Sequence, residues 1–199
     1  MTEPIDLDKV RTYPLKHRKN LVKNESFGKV LPPEGSFVRF LESLPDILRA
    51  RDLKDICLRI VAASRESKEI ILATGAHQIK LGMAPYISKL IDAGLITCVA
   101  MNGAGVIHDV ELAMIGETSE DVTEAIQDGS FGMAKETAEF LNNAIAEGAS
   151  SGEGIGAAVG RKIAESELPF REISLAHFCH AKGIQLTVHV AYGTDIIHM

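Results

Sequence analysis

The stretch that decides the fold covers residues 70–113, IILATGAHQIKLGMAPYISKLIDAGLITCVAMNGAGVIHDVELA. An apolar run over residues 68–74 ends at a glycine, and a β-rich run over residues 95–102 ends in the same way. Between these runs, residues 85–94 carry isoleucine and leucine at helical spacing, and a second helical pattern follows the second glycine turn. A strand, a glycine turn and a helix, repeated once, predict a parallel sheet built with crossover helices.

The rest of the chain extends this alternation in both directions. A helical pattern fills residues 43–67, further helical segments occupy residues 119–183, and a third strand is predicted at residues 184–191. The predicted fold class is therefore α/β, a Rossmann-like parallel sheet flanked by helices. We expect an irregular N-terminal arm over residues 1–40, or alternatively a segment that docks onto a second subunit, and one α/β nucleotide-binding domain over residues 41–199.

The last residues, GTDIIHM, are mostly apolar and follow a strand of the buried type. Domains usually end on a polar, exposed tail. We therefore expect the domain to be truncated at this end, or to be covered there by a neighbour.

Composition and charge disfavour several classes of protein. The net charge of −6 and the pI near 5.6 argue against a nucleic acid or an anionic membrane as a partner. No apolar run approaches the ~20 residues of a membrane span, and the N-terminus lacks a secretory leader. The three cysteines are far apart and odd in number, which indicates reduced thiols in a cytoplasmic protein.

A glycine-rich segment at residues 152–160, GEGIGAAVG, comes close to a dinucleotide-binding fingerprint. That fingerprint requires a strand immediately before it. A polar helix precedes the segment here, so we interpret it as a flexible hinge and helix start.

Chemistry-bearing residues cluster after each of the three predicted strands. In open parallel sheets, ligands bind at the carboxyl ends of the strands, near the point where strand order reverses. Glycine at these positions lets a ligand approach the backbone closely. The candidates are Gly75, Ala76, His77 and Lys80; Asn102, Gly103, Ala104, Gly105, His108 and Asp109; and His189, Asp195 and His198.

Each candidate also has a plain structural interpretation. Gly75 and Gly103 are equally consistent with tight strand-to-helix turns. His108 and Glu111, three residues apart, would be neighbours on a helix face that simply meets solvent. His177 and His180, with Asp109 or Glu111, would form a His and carboxylate set for a metal, although no tight metal-binding motif is present.

Residues 68–199 resemble the deoxyhypusine synthase family, which binds NAD on a Rossmann-like sheet. The family carries a strand ending in a T-S-N-L turn and a later one ending in T-A-G-G-V-E-E-D, which align without a gap to residues 70–113. Gly82, Gly105, Val106 and Asp109 fall on family positions, and residues 183–199 are similar to a later L-T-D-G-S segment. The family's nucleophilic lysine belongs to a C-terminal segment with no match in this chain.

The resemblance implies an NAD-dependent transferase acting on a polyamine or related amine, assembled as a homotetramer. Cofactor contacts are expected from Gly75, Ala76, His77, Asn102, Gly103, Ala104, Gly105 and Asp195. Substrate contacts are expected from Asp109, Glu111 and His189. His108 is the expected acid/base, since histidine titrates near neutral pH, and Lys80 is the nearest candidate nucleophile. The alternatives are a non-catalytic nucleotide-binding or assembly module and a His-rich, metal-dependent hydrolase or lyase.

Overall fold

The computed structural model of the protein describes residues 9, 11–195 and 197. His198, predicted at the third strand end, lies outside them. The chain divides into two compact units, Met1–Arg59 and Ile60–Met199. The predicted boundary at residue 40 remains a prediction.

The first unit is built from helices and turns. Short 3-10 turns occur at Leu15–His17 and Asn24–Ser26, α1 spans Phe37–Ser43, and α2 spans Leu48–Arg65 and continues past the division between the units. The helix predicted over residues 43–67 is thus confirmed, with a later start. None of the residues of α1 or α2 is buried, and most large apolar side chains of α2, among them Leu48, Ile56 and Leu58, are exposed.

The second unit contains a three-stranded parallel sheet. Its strands are β1 (Ile71–Thr74), β2 (Cys98–Asn102) and β3 (Gln185–His189), in the order β1-β2-β3. The predicted α/β fold class with a parallel sheet flanked by helices is confirmed. Among the described strands the order does not reverse, so the sheet lacks the reversal point that we expected to mark a ligand site.

Seven α-helices and a 3-10 turn at Arg171–Ile173 connect the described strands. Between β1 and β2 lie α3 (Ala76–Lys80) and α4 (Ala84–Asp92); between β2 and β3 lie α5 (Gly103–Ile115), α6 (Val122–Asp128), α7 (Lys135–Ser151), α8 (Ile155–Glu165) and α9 (Leu175–Lys182). The sequence analysis missed α3, a five-residue helix too short to show periodicity. The helix predicted to open near Ser119 instead begins after Asp121, whose side chain accepts a hydrogen bond from the Thr123 N–H.

The hydrophobic core is formed by residues of the sheet and of helices α3, α4, α5, α7, α8 and α9. Alternate residues of β2 point into it, and so do apolar residues of the surrounding helices. Its most buried members are Ile79, Val99, Met101, Val110, Leu141, Val159, Ile163 and Leu175.

The glycines of GEGIGAAVG are explained by helix packing. Gly154 precedes α8, which confirms the predicted helix start, whereas Gly156 and Gly160 lie inside the helix. A β-carbon on Gly156 would lie 2.1 Å from the Leu186 carbonyl oxygen, and one on Gly160 would lie 2.6 Å from that of Ala176. The second half of the segment is therefore a close-packed helix rather than a flexible hinge.

Candidate functional site

The carboxyl ends of the three strands meet at one edge of the sheet, which we call the carboxyl edge. Thr74 pairs with Met101, and Asn102 pairs with His189. A β-carbon added to Gly75 would lie 3.8 Å from the Asn102 Nδ2 atom, with no nearer neighbour. The backbone of the β1–α3 turn is therefore open to close approach beside Asn102.

Helix α5 begins directly at the end of β2, without an intervening loop. Asn102 caps it, because its Oδ1 atom accepts a hydrogen bond from the Gly105 N–H at 2.9 Å. Gly105 is buried, and a β-carbon there would lie 3.0 Å from the Met101 sulfur. Gly105 thus allows the helix to pack against its own strand, and this packing accounts for it without a ligand.

Asp195 reaches the same point from the segment after β3. A β-carbon on Gly103, the first residue of α5, would lie 2.0 Å from Asp195 Oδ2 and 2.6 Å from its Cγ atom. The carboxylate is held by the Ala191 N–H, which donates to Oδ2 at 2.9 Å. Only glycine at position 103 permits this approach, so the structure brings two predicted cofactor residues into contact.

Two exposed histidines belong to the segments at the carboxyl ends of β1 and β3. His77 lies in α3 after β1, and His189 is the last residue of β3, where its Nε2 atom is 3.1 Å from the Thr187 hydroxyl. Ala76 and Ala104, also predicted to contact the cofactor, are half-buried in the first turns of α3 and α5.

Lys80, the predicted nucleophile, is exposed at the end of α3. Within the described part of the chain it makes no hydrogen bond or ion pair. A nucleophilic lysine needs desolvation or a neighbouring cation to be a free amine near neutral pH. The surroundings of Lys80 supply no desolvation.

Asp109, predicted to bind the substrate, is completely buried. Its carboxylate accepts hydrogen bonds from the Ser174 hydroxyl at 2.7 Å and from the Leu175 and Ala176 N–H groups at 2.8 and 2.9 Å. These donors lie at the start of α9, where backbone N–H groups lack partners within the helix. Asp109 therefore ties α5 to α9 and is not open to a substrate.

Burial raises the pKa of the Asp109 carboxyl above its ordinary value, while the hydrogen bonds from α9 act in the opposite direction. Sequence analysis missed Ser174. Its signal was a serine just before a helical segment, the usual position of an N-cap.

His108 and Glu111 belong to a half-buried network that also includes Thr118. The His108 Nδ1 atom lies 2.6 Å from the Thr118 hydroxyl and 3.2 Å from Glu111 Oε2, and the Thr118 hydroxyl donates to the same carboxylate oxygen. Burial alone raises the pKa of Glu111, but the hydrogen bonds from His108 and Thr118 outweigh it, so the pKa lies below its ordinary value. The network fastens the segment after α5 to the helix.

The predicted cofactor residues of α5 lie in its first turn, whereas His108 and Glu111 lie farther along the helix axis. At ~1.5 Å per residue, His108 is about 8 Å and Glu111 about 12 Å along the axis from Gly103. Thr118 lies beyond the C-terminal end of the helix. The single pocket expected from the sequence therefore separates into the carboxyl edge and the His108 network.

Two cavities lie apart from the predicted cofactor residues. One, of about 800 Å³, lies beyond the C-terminal end of α5 and is lined by Glu111, Thr118, Met133 and Glu136 among others. The other, of about 460 Å³, lies between the start of α8, the end of α9 and the first residues of β3. The predicted cofactor residues line neither cavity.

Metal and thiol chemistry find little support. In residues 9, 11–195 and 197, no three His, Cys, Asp or Glu side chains come together to hold a metal ion. Burial raises the pKa of the Cys179 thiol to about 12, so it is not a thiolate near neutral pH. No helix in the described part of the chain is long and apolar enough to cross a membrane.

Comparison with known proteins gives a structural similarity but no family assignment. No protein-family model matches it, and no curated protein matches it significantly. Among solved structures it is similar to a conserved LOR/SDH protein from Methanococcus maripaludis S2, with a TM-score of 0.49 and 15% identity. The similarity covers 98% of this chain and 49% of that protein, so the chain spans about half of its length. A likeness at this level gives no information on activity.

The predicted membership of the deoxyhypusine synthase family is wrong. The similar structure is described as a LOR/SDH protein, and no family model or curated protein supports the assignment. The activity taken from that family, transfer or oxidation of a polyamine amine, is wrong for the same reason. In the structure Asp109, which was expected to hold the amine, is completely buried and hydrogen-bonded to the start of α9.

Proposed function

We propose that this chain is a dinucleotide-binding domain that takes a cofactor of the NAD type along the carboxyl edge. The observation that carries the proposal is the convergence of Gly75, Asn102, Gly103 and Asp195 at the ends of three parallel strands. Ligands of open α/β sheets bind at this edge.

The residues present fit the parts of such a cofactor. The open backbone at Gly75 gives close access to an extended ligand. The exposed imidazoles of His77 and His189 supply N–H donors for phosphate oxygens. The Asp195 carboxylate is an acceptor for ribose hydroxyl groups, as an acidic side chain is in dinucleotide-binding folds generally.

Calorimetric titration of the full chain with NAD tests this proposal. We expect binding by the unaltered protein and affinities lowered about tenfold by His77→Ala and by His189→Ala, each of which loses a charge-assisted or neutral hydrogen bond to phosphate. His180→Ala is the matched control, because His180 is an exposed histidine near the opposite end of β3. Absence of NAD binding by the unaltered protein, or equal losses in all three variants, would contradict the proposal.

A further inference from the structure

The ligand selectivity of Asp195 is a further inference that rests on the proposed function. We infer that Asp195 makes the carboxyl edge selective for a dinucleotide with free ribose hydroxyls, and that it rejects one carrying a 2′-phosphate. The site would thus bind NAD in preference to NADP.

The Asp195 carboxylate is positioned at the beginning of α5. Asp195 lies against Gly103 at the beginning of α5, where the helix dipole favours negative charge. The side chain of Asn102 already occupies the Gly105 N–H. The carboxylate therefore fills the place at this helix end that an anionic group of a ligand would otherwise take.

The Asp195 carboxylate also has unused hydrogen-bonding capacity among the described residues. An ionised carboxylate accepts hydrogen bonds and donates none. The Ala191 N–H engages Oδ2, and among the described residues Oδ1 has no hydrogen-bond donor. A ribose diol, whose two hydroxyls donate hydrogen bonds, complements this arrangement. A phosphate instead carries acceptors and negative charge.

The segments that form the edge, residues 74–78, 102–106 and 187–195, contain no lysine and no arginine, and Lys80 lies just beyond the first of them in the last turn of α3. Sites that accept a 2′-phosphate generally provide an arginine for it. At this edge a phosphate of about −1.5 to −2 charge would instead face the Asp195 carboxylate.

The experiment compares NAD and NADP affinities of the full chain by calorimetry, for the unaltered protein, Asp195→Asn and Glu139→Gln. Asp195→Asn removes the charge while keeping an oxygen for the Ala191 N–H. Glu139→Gln removes one charge from an exposed position on α7 and serves as the control. Thermal unfolding followed by circular dichroism checks that each variant is folded.

We expect the unaltered protein and the control to bind NAD at least about tenfold more tightly than NADP, since like charges brought together are strongly disfavoured. Asp195→Asn should bring the two affinities to within about threefold, mainly because NADP binds more tightly. Equal affinities in the unaltered protein, or an unchanged ratio in folded Asp195→Asn, would overturn the inference and leave the proposed function standing. Failure to bind either dinucleotide would overturn both.

Discussion

At the scale of single residues, Asp109 has the most enclosed environment of the candidates. It combines complete burial with three hydrogen bonds to the start of α9. A charged group placed in this way is costly to disturb, because removing it leaves buried N–H groups without acceptors. Its function is to fix the position of α9 relative to α5.

Substitution of Asp109 should therefore reduce stability rather than ligand binding alone. We expect Asp109→Ala to lower the free energy of unfolding by about 3–5 kcal/mol. Asp109→Asn, which keeps one acceptor oxygen, should lower it by about 1–3 kcal/mol. Urea denaturation measures both, with Glu139→Ala as an exposed control. If Asp109→Ala and the control unfold at the same urea concentration, the capping role is wrong.

The nature of a residue's partners was the part of the site that sequence could not supply. The spacing of His108 and Glu111 correctly predicted that they are neighbours on a helix. Their third partner, Thr118, comes from the segment beyond the helix, and such a contact has no local signal. The same holds for Asp109 and Ser174, which lie 65 positions apart.

At the scale of the elements, α8 explains why glycine-rich stretches are poor evidence for nucleotide binding. Gly148 in α7 allows the neighbouring α8 to approach, since a β-carbon there would lie 2.4 Å from the Ala158 side chain. Gly156 likewise allows α8 to pack closely against β3. A stripe of small residues needed for packing can therefore imitate the spacing of a cofactor fingerprint.

Gly154 and Gly156, two residues apart in sequence, distinguish close packing from simple helix initiation. Gly156→Ala places a methyl group 2.1 Å from the Leu186 carbonyl oxygen and should lower the free energy of unfolding by about 1–3 kcal/mol. Gly154→Ala has nothing within 4 Å of the added carbon and should change it by less than about 1 kcal/mol. Denaturant titration of the two variants tests this, and equal stabilities would refute the packing explanation.

Strands and long helices were predictable, whereas their exact ends were not. The three strands lie within the predicted ranges but are shorter: β1 and β2 each begin three residues later than predicted, and β3 begins one residue later and ends two residues earlier. Gly183 was correctly identified as the end of α9, and its φ of 66° is the left-handed conformation that glycine adopts readily. The strand order depends on long-range pairing, which local periodicity does not encode.

At the scale of the whole molecule, the parallel sheet is the feature that sequence and structure agree on. Alternation of strand and helix was sufficient for the fold class, because parallel strands require crossover connections. It was not sufficient for the family or the activity, since one fold supports many functions. Association into a homo-oligomer remains a prediction.

The central claim is that a dinucleotide lies across the carboxyl edge, and hydrogen–deuterium exchange with and without saturating NAD tests it most directly. Binding should slow amide exchange in the β1–α3 turn, in the first residues of α5 and in residues 189–195, because a bound ligand stabilises the segments it contacts. Protection confined to residues 117–137, around the larger cavity, or no change at any segment, would contradict the claim.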